Sequence, residues 1–287
     1  MKSAGPILAV LAAIVALWYA GSVWMNSQWT LDQAARNNQT VTFSQIVQDT
    51  MDQKRPVLPA PHQVAEGLWQ GVFGQAVTSK RSLVYHAWVT LSATLLGFAI
   101  GTGLGVLLAV GIVHNRAMDM SVMPWAIASQ TIPILAIAPM IIVVMASIGI
   151  TGLLPKAVIS AYLSFFPVVV GMVKGFRSPD AMQLDLLGTY SASRAQTFWK
   201  LRFPASMPYF FTSLKIAAAA ALVGAIVGEL PTGAVAGLGA RLLSGSYYGQ
   251  TVMIWSALFM AAIVAAILVG VIGAVQAVTL KRMGMRQ

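Results

Sequence analysis

The segment DLLGTYSASRAQTFWKLRFP, Asp185 to Pro204, is a polar, basic insert between two long apolar runs. Its acidic residue comes first, and Arg194, Lys200 and Arg202 come late. This order suits helices, because acidic side chains stabilise helix N-termini and basic ones stabilise C-termini. In a membrane protein, such an insert either rests on lipid headgroups or is held by a partner. The insert therefore predicts a chain of membrane helices interrupted by a cytoplasmic loop at residues 175–208.

The rest of the chain has the composition of a membrane protein. Of its 287 residues, 57% are hydrophobic and 9% are charged, and the mean hydropathy is +0.75. Soluble domains carry about 25% charged residues. The formal net charge of +10 comes from basic residues scattered among loops that flank apolar runs, which is typical of orientation signals. We therefore expect contact with membrane lipid and no binding of nucleic acid.

The sequence offers no obvious set of catalytic or metal-binding side chains. It has no cysteine, which excludes disulfides, thiolate metal sites and cysteine nucleophiles. Its three histidines, His62, His86 and His114, lie far apart without the spacing of metal ligands. We predict no metal site and no catalytic residue, so the chain is expected not to be an enzyme.

Six apolar runs predict an all-α, polytopic membrane protein with about six transmembrane helices. A spanning helix needs about 20 residues. The first run continues to Met25 without a small-residue cleavage site, so residues 1–25 are interpreted as a retained anchor helix and not as a cleaved signal peptide. The predicted spans lie near residues 6–25, 84–113, 121–148, 153–174, 209–229 and 251–279.

The basic residues predict the orientation of these spans. An even number of spans places both termini on one side of the membrane. If the N-terminus is inside, ten basic residues are cytoplasmic and seven are outside, an excess that favours two cytoplasmic termini. The ten are Lys2, Arg116, Lys174, Arg177, Arg194, Lys200, Arg202, Lys281, Arg282 and Arg286, and the seven are Arg36, Lys54, Arg55, Lys80, Arg81, Lys156 and Arg241.

Residues 26–83 form a polar periplasmic segment that still contains helical patterns. Two amphipathic stretches are separated by turn-forming prolines, and each has apolar residues at helical spacing. We expect the first short helix to lie on the outer membrane surface and the second to lead into the next span. The first stripe is Phe43, Ile46, Val47, Thr50 and Met51, and the second is Val64, Leu68, Trp69, Val72 and Phe73.

Small residues recur every fourth position in the second span, at Gly97, Gly101 and Gly105. This spacing lets two helix backbones approach closely in lipid. A phosphate-binding loop at GTGLG is the weaker interpretation, because no strand precedes it. We therefore predict a helix-packing face.

The third span contains Pro124, Pro133 and Pro139. Proline removes a backbone donor and kinks a helix, and in lipid the freed carbonyl groups must be buried in protein or face a wet cavity. We therefore expect one kinked span that lies inside the protein and does not face lipid.

The fifth span contains two ionisable residues, Lys215 and Glu229. Fourteen residues apart, they share one helix face but lie about 21 Å from each other along the axis. Charged groups in spans are costly and face a cavity or a partner, so we hypothesise that this face lines a translocation pathway with Glu229 at its outer gate. The alternatives are that Lys215 extends to the inner surface and that Glu229 forms a structural ion pair. The glycine-rich loop after Glu229 either contacts a periplasmic protein or is a re-entrant or surface turn.

The insert resembles the cytoplasmic docking motif of permeases in bacterial ATP-binding-cassette importers. Asp185 stands at the acidic position of the motif, Leu201 at its aliphatic position and Phe203-Pro204 at its Leu-Pro. Two alanines of the motif are replaced by Leu186 and Leu187, and its glycine is replaced by Ser191. Other segments, such as QTIPILAIAPMIIV and ASRAQTFWKLRFPASMPYFFTSLKIA, are similar to the nitrate, sulfonate, taurine and pyrimidine-precursor group of these permeases, so the resemblance covers roughly Pro59 to Arg282.

This resemblance implies a five-helix permease core at residues 84–282, preceded by the anchor helix. It implies a homodimer in the bacterial inner membrane, served by a periplasmic or lipid-anchored substrate-binding protein and driven by a separate cytoplasmic ATPase that binds ATP and Mg²⁺. The sequence has no G-x-x-x-x-G-K-[ST] loop of its own, so no cofactor is expected on this chain. The segment from Asp185 to Gln196 would form the coupling helix, and Ser191 is expected to adopt ordinary helical geometry or to shift the turn slightly. The residues assigned to coupling are Asp185, Gly188, Ser191, Ala192, Ser193, Arg194, Gln196 and Pro204.

Two other functions compete with an importer permease that carries a small polar or anionic solute. An ion-coupled secondary transporter or channel would normally show internal repeats and ion ligands at the membrane centre, and neither is evident in the sequence. A membrane-embedded enzyme would need His, Asp and Ser side chains at one depth, which the spans do not provide.

Overall fold

The structure is a computed structural model that describes residues 4–231 and 234–285. Within these residues all regular secondary structure is helical. Lys2 and Arg286, which contribute to the predicted charge bias, lie outside the described residues. The helices are α1 Ala4–Arg36, α2 Phe43–Met51, α3 Pro61–Phe73, α4 Leu83–His114, α5 Arg116–Ser129, α6 Ile134–Ser147, α7 Leu153–Phe176, α8 Ala181–Thr189, α9 Arg194–Thr197, α10 Phe203–Glu229, α11 Leu238–Tyr247 and α12 Thr251–Arg282, with a π-helical turn at Phe198–Arg202.

Five of the described helical stretches are long and apolar enough to cross a membrane, and the bent pair α5 and α6 would make a sixth span. The five stretches are Gly5–Arg36, Leu83–His114, Leu153–Phe176, Arg194–Glu229 and Thr251–Arg282. The predicted all-α fold with about six spans is therefore confirmed.

The third predicted span is two helices and not one kinked helix. α5 ends at Ser129, α6 begins at Ile134, and the two helices are bent by 98° relative to each other. The break falls at Pro133, because proline has no N–H to donate and disfavours helical geometry in the residue before it. Pro124 and Pro139 lie inside helices.

The expectation that this region is internal stays a prediction, because the described residues of the single chain leave much of it uncovered. Large apolar side chains of α5 and α6 are exposed, among them Trp125 at 78%, Met140 at 66% and Val143 at 67%. In a membrane these side chains are covered only by lipid or by another polypeptide chain.

The first helix extends well beyond the predicted anchor. α1 does not end near Met25 but continues to Arg36. Its 33 residues measure about 50 Å, whereas the hydrocarbon core of a bilayer is about 30 Å thick. The beginning of the predicted periplasmic segment is therefore a continuation of this helix.

The chain divides into two compact units. Unit one comprises the described residues up to His86 together with Ala240–Met260. Unit two comprises Ala87–Gly239 together with the described residues from Ala261 onward.

Unit one contains both of the short helices predicted between residues 26 and 83, as α2 and α3. The chain between them is held by side chains of α1. The buried Asn26 accepts hydrogen bonds from the N–H groups of Val57 and Leu58 at 2.8 and 3.2 Å and donates one to the Leu58 carbonyl at 2.8 Å. Trp18 Nε1 donates to the Pro59 carbonyl at 3.0 Å. These bonds satisfy the polar backbone of an irregular segment, which would otherwise be costly to bury.

Unit two is built around the pair α7 and α10. Ser160 Oγ donates to the Ala221 carbonyl at 2.8 Å, and a β-carbon at Gly224 would lie 2.7 Å from Ser160 Cα. Glycine at position 224 therefore permits the close approach of the two helices. A buried apolar cluster surrounds this pair, including Ala109, Ile112, Val168, Val169, Met172, Phe176, Phe211 and Ala217.

The three glycines of the predicted packing face lie against α7. A β-carbon at these positions would meet carbonyl oxygens of the α7 backbone. A β-carbon at Gly97 would lie 2.5 Å from the Ala157 oxygen, one at Gly101 2.9 Å from the Ala161 oxygen, and one at Gly105 2.8 Å from the Phe165 oxygen. By contrast, a β-carbon at Gly103 would meet nothing within 4 Å. The four-residue spacing thus corresponds to one helix–helix contact.

Candidate functional site

The polar insert contains a short helix with an exposed apolar stripe. α8 covers Ala181–Thr189, and Met182, Leu186 and Tyr190 are exposed at 82%, 57% and 77%. Side chains four residues apart lie on one helix face. The predicted coupling helix at Asp185–Gln196 is not a single helix. This segment contains the second half of α8, a turn and most of the short α9.

The turn after α8 is a Schellman motif with Ser191 in the left-handed region, at φ 54°. The N–H of Ala192 donates to the Leu187 carbonyl at 3.0 Å, and the N–H of Ser191 donates to the Gly188 carbonyl at 2.9 Å. Glycine is the usual residue at this position because it has no β-carbon to clash. The expectation of ordinary helical geometry at Ser191 is wrong: the serine keeps the backbone conformation that glycine adopts more freely.

A capping box fixes the start of α9. Ser193 Oγ accepts a hydrogen bond from the Gln196 N–H at 3.2 Å, and Gln196 Oε1 accepts one from the Ser193 N–H at 2.8 Å. The sequence Ser-Arg-Ala-Gln has the spacing of this motif, with serine three residues before glutamine. Two of the predicted coupling residues therefore stabilise the local backbone.

Phe198 anchors the insert to the core of unit two. Its side chain is 7% exposed, and its ring centroid lies 5.1 Å from that of His114 and 5.2 Å from that of Phe176. Arg202 Nη1 donates to the Phe176 carbonyl at 3.3 Å. The neighbouring Trp199, by contrast, is 63% exposed. The insert is therefore tied to the ends of α4 and α7.

The remaining predicted coupling residues lie on or near the surface of this segment. Asp185, Gly188 and Arg194 are exposed, and Ala192 is half-buried. Pro204 lies in the first turn of α10, where the missing N–H costs no helical hydrogen bond. The structure thus gathers the predicted residues into one continuous surface segment that includes α8 and α9.

A second site surrounds the carboxylate of Glu229, which is fully buried at the end of α10. Thr90 Oγ1 donates to the carboxylate at 3.0 Å, and the Gly239 N–H donates to Oε2 at 2.8 Å. Lys156 Nζ lies 3.8 Å from Oε1. This cluster connects α4, α7 and α10 with the loop that follows α10.

The glycines after α10 let that loop close over the carboxylate. Gly237 has φ 125°, and a β-carbon there would clash with the Glu229 carboxylate. A β-carbon at Gly239 would lie 2.8 Å from Glu229 Cβ. In addition, the Leu238 N–H donates to Thr90 Oγ1 at 2.8 Å. The Gly-Leu-Gly sequence is therefore required by the buried acid.

The structure does not bring Lys215 and Glu229 together. Lys215 is half-buried, with its terminal atoms near Gly273 of α12. Glu229 faces protein partners in this conformation, an arrangement that matches the alternative of a structural ion pair. The pathway role of both residues stays a prediction.

Two members of the glutamate cluster, Lys156 and Thr90, were not predicted. The sequence could have indicated Lys156. This residue lies in the first turn of one span, and Glu229 lies at the end of another span that reaches the same predicted membrane surface. Opposite charges at one depth suggest an ion pair. Thr90 gives no such signal, since threonine is common in apolar helices.

The loop predicted to contact a binding protein contains the helix α11. Arg241 Nη2 donates to the Lys80 and Arg81 carbonyls at 3.1 and 2.9 Å. Burial lowers the pKa of this guanidinium. Tyr247 and Tyr248 are exposed at 79% and 69%. Among the described residues 4–231 and 234–285, no group of three His, Asp or Glu side chains could hold a metal ion.

Comparison with known proteins identifies the family. The sequence profile described as "Binding-protein-dependent transport system inner membrane component" matches residues 101–284. The formylaminopyrimidine transport permease ThiX of Halalkalibacterium halodurans is 32% identical over 184 residues, which are 64% of this chain and 68% of that protein. The riboflavin transport system permease RibX of Chloroflexus aurantiacus is 31% identical over 65% of each chain.

Two more distant similarities are also found. The putative aliphatic sulfonates transport permease SsuC of Bacillus subtilis is 24% identical over 62% of this chain and 63% of that protein. A chain of the inward-facing MetNI methionine ABC transporter aligns with a TM-score of 0.49 and 18% identity, over 77% of this chain and 96% of that chain. The family profile over residues 101–284 and the 32% identity to ThiX show that the chain belongs to the binding-protein-dependent transport system inner membrane components, and that it is a transmembrane permease subunit of an ATP-binding-cassette importer.

Proposed function

We propose that this permease conducts a small polar or anionic solute, of the sulfonate, nitrate, taurine or pyrimidine-like class, and that the insert around α8 couples it to a separate ATPase. Relatives named for formylaminopyrimidine, aliphatic sulfonate and nitrate transport support this substrate range. ATP and Mg²⁺ bind to the ATPase, so this chain performs no hydrolysis itself.

The observation that carries the coupling role is the exposed stripe formed by Met182 and Leu186 on α8 and by Tyr190, the residue that follows the helix. An apolar stripe on a polar cytoplasmic segment is typical of a helix that docks into a groove of another protein. Leu184 and Leu187, on the opposite face, are half-buried. The stripe is therefore available to a partner while the helix remains attached to its own chain.

The anchoring of the insert supports the transmission of motion. Phe198 and Arg202 attach the segment after α9 to the ends of α4 and α7, and α10 follows directly. A displacement of α8 by the ATPase is thus transmitted to packed helices and not absorbed by a flexible loop. For net transport, ATP and the delivered solute must favour different conformations, since a ligand indifferent to both shifts neither.

Membership of this family supports the following assembly. The permease is a homodimer in the bacterial inner membrane, with both termini in the cytoplasm, and a periplasmic or lipid-anchored substrate-binding protein delivers the solute. The exposed apolar side chains of α5 and α6 are consistent with contact to a second copy of the chain or to lipid. The first helix anchors the chain, and the residues between this helix and α4 form its periplasmic segment.

The test is association of the ATPase with a variant in the stripe. We expect Leu186→Asp to abolish copurification of the ATPase and ATP-driven uptake in proteoliposomes, because it places a charge in the docking helix. Val235→Asp is the matched control: Val235 is 82% exposed in the loop near Glu229, and this variant is expected to retain the ATPase. Normal ATPase binding by Leu186→Asp would refute the docking role, and ion-driven uptake by the chain alone would support a secondary transporter.

A further inference from the structure

An arginine-rich cavity lies beside the coupling segment. Its volume is about 490 Å³, and four arginines line it: Arg116, Arg177, Arg194 and Arg202. They come from three parts of unit two, namely the start of α5, the residue after α7, and the segment from α9 to the π-helical turn. His114, the last residue of α4, also contributes to the lining.

The positive charge of this cavity is largely uncompensated. Asp119 is the one carboxylate among its lining residues, and its Oδ2 is already 2.8 Å from Arg177 Nη2. Within the described part of the chain, Arg116 and Arg194 have no hydrogen bond or ion pair from their side chains, and Arg202 donates only to the Phe176 carbonyl. Three guanidinium groups therefore remain without an anionic partner in one cavity, and their mutual repulsion favours binding of an anion.

We propose that this cavity binds a phosphate-bearing group, supplied by the headgroup of an anionic phospholipid. Guanidinium groups bind phosphate oxygens in a bidentate manner, and several of them can hold one phosphodiester. The fourth lining arginine, Arg177, is held by Asp119 and helps to shape the wall.

The position of the cavity favours a lipid as the source of the phosphate. Two membrane-spanning helices end at this cavity: α4 ends at the lining residue His114, and α7 ends one residue before the lining residue Arg177. The cavity therefore lies at the depth of lipid headgroups. The exposed Trp199 is in the same segment, and tryptophan is enriched at the membrane interface. Basic pockets between cytoplasmic ends of membrane helices are suited to phospholipid headgroups.

A bound phosphate would connect the coupling segment to the body of the permease. Arg194 and Arg202 belong to the coupling segment, whereas Arg116 belongs to α5. One anion contacting all three fixes these elements relative to each other. Binding itself does not depend on the proposed coupling role.

The test measures lipid binding by the purified full-length permease, without the ATPase. Native mass spectrometry and thermal unfolding in detergent are carried out with phosphatidylglycerol, with phosphatidylcholine, and with inorganic phosphate. Arg116→Gln/Arg194→Gln removes two exposed, unpaired guanidinium groups and leaves the fold intact. The matched control is Lys281→Gln/Arg282→Gln, which removes the same charge from exposed residues in the last turn of α12.

We expect phosphatidylglycerol to bind and to raise the unfolding temperature, whereas phosphatidylcholine does neither. The Arg116→Gln/Arg194→Gln variant should bind phosphatidylglycerol roughly 25-fold more weakly, at about fivefold for each arginine lost, and the control should bind within twofold of the original. If inorganic phosphate alone raises the unfolding temperature of the original chain equally, and does not raise that of the double variant, the cavity binds phosphate but takes it from solution. This result would overturn the assignment of the phosphate to a lipid.

Three results would overturn the proposal. The first is equal weakening in the Arg116→Gln/Arg194→Gln variant and the control, which would indicate general surface charge. The second is that the original chain binds neither phosphatidylglycerol nor inorganic phosphate more tightly than it binds phosphatidylcholine. The third is unchanged phosphatidylglycerol binding in the Arg116→Gln/Arg194→Gln variant, which would show that these arginines do not hold the lipid.

Discussion

Ser191 lies at a backbone position that is occupied by glycine or asparagine at four other helix ends within residues 4–231 and 234–285. α1, α6, α11 and α12 end in the same hydrogen-bonded motif, with Asn38, Gly149, Gly249 and Gly284 at positive φ. Asparagine and glycine tolerate this conformation best. Serine at the equivalent position after α8 therefore carries strain that the other ends avoid.

We expect Ser191→Gly to stabilise the end of α8 by about 1 kcal/mol, because glycine removes the steric cost of the left-handed conformation. Ser191→Ala is the control: it also removes the hydroxyl but keeps the β-carbon, and it should give no gain. Hydrogen exchange of the amides of Ser191 and Ala192 measures the difference. Equal protection in both variants would show that the backbone conformation carries no strain.

The buried carboxylate of Glu229 is the second residue whose role can be tested alone. Glu229→Gln leaves Lys156, 13% exposed, without its counter-charge, and breaking a buried ion pair from one side costs about 3 kcal/mol. We therefore expect a clear loss of stability in equilibrium unfolding in SDS-containing micelles. The double variant Glu229→Gln/Lys156→Met should recover a large part of this loss, because no unpaired charge remains.

The same variants separate a structural role from a gate. If Glu229 is only structural, the double variant transports at the original rate once stability is restored. If the carboxylate lines the pathway, transport stays low in the double variant despite restored stability. Additive losses in the double variant would mean that Lys156 and Glu229 do not interact.

At the scale of helices, the packing of α4 on α7 depends on specific glycines. Gly101→Ala would place a β-carbon against Ser164 Oγ and 2.9 Å from the Ala161 carbonyl, so we expect a destabilisation of about 2 kcal/mol from overpacking. Gly103→Ala, two residues further on, meets open space and should be neutral or slightly stabilising, because alanine favours helix. Similar unfolding midpoints for the two variants would contradict the close approach of the helices.

The helices could largely be predicted from the sequence, because span length and apolar periodicity are local properties. The positions at which the helices break could not be predicted in this way. Pro133 breaks its segment while Pro124 and Pro139 do not, since the outcome depends on whether neighbouring groups satisfy the freed carbonyls. In the same way, the helical stripe on α8 was within reach of the sequence, but the burial of Phe198 depends on contacts with His114 and Phe176, which are distant in the chain.

In the candidate sites too, local features could be predicted from the sequence, whereas contacts between distant residues could not. Ser193 and Gln196 form a capping box that is readable from four consecutive residues. The partners of Glu229 come from positions 90, 156 and 239, and the arginines of the cavity come from three separate segments. No local pattern specifies which of these distant residues meet, because that is decided by helix packing.

At the scale of the whole molecule, the absence of cysteine from the sequence allows the topology to be tested with single introduced thiols. Tyr190 and Tyr247 are exposed at 77% and 79%, so a cysteine at either position is accessible from its own side. The predicted six spans and the distribution of basic residues predict that the insert lies inside. We therefore expect Tyr247→Cys to react with a membrane-impermeant maleimide in intact spheroplasts, and Tyr190→Cys to react only after lysis. The cysteine-free parent chain measures background labelling. The reverse pattern would place α8 outside the cell, where no ATPase can reach it, and would refute both the orientation and the coupling role.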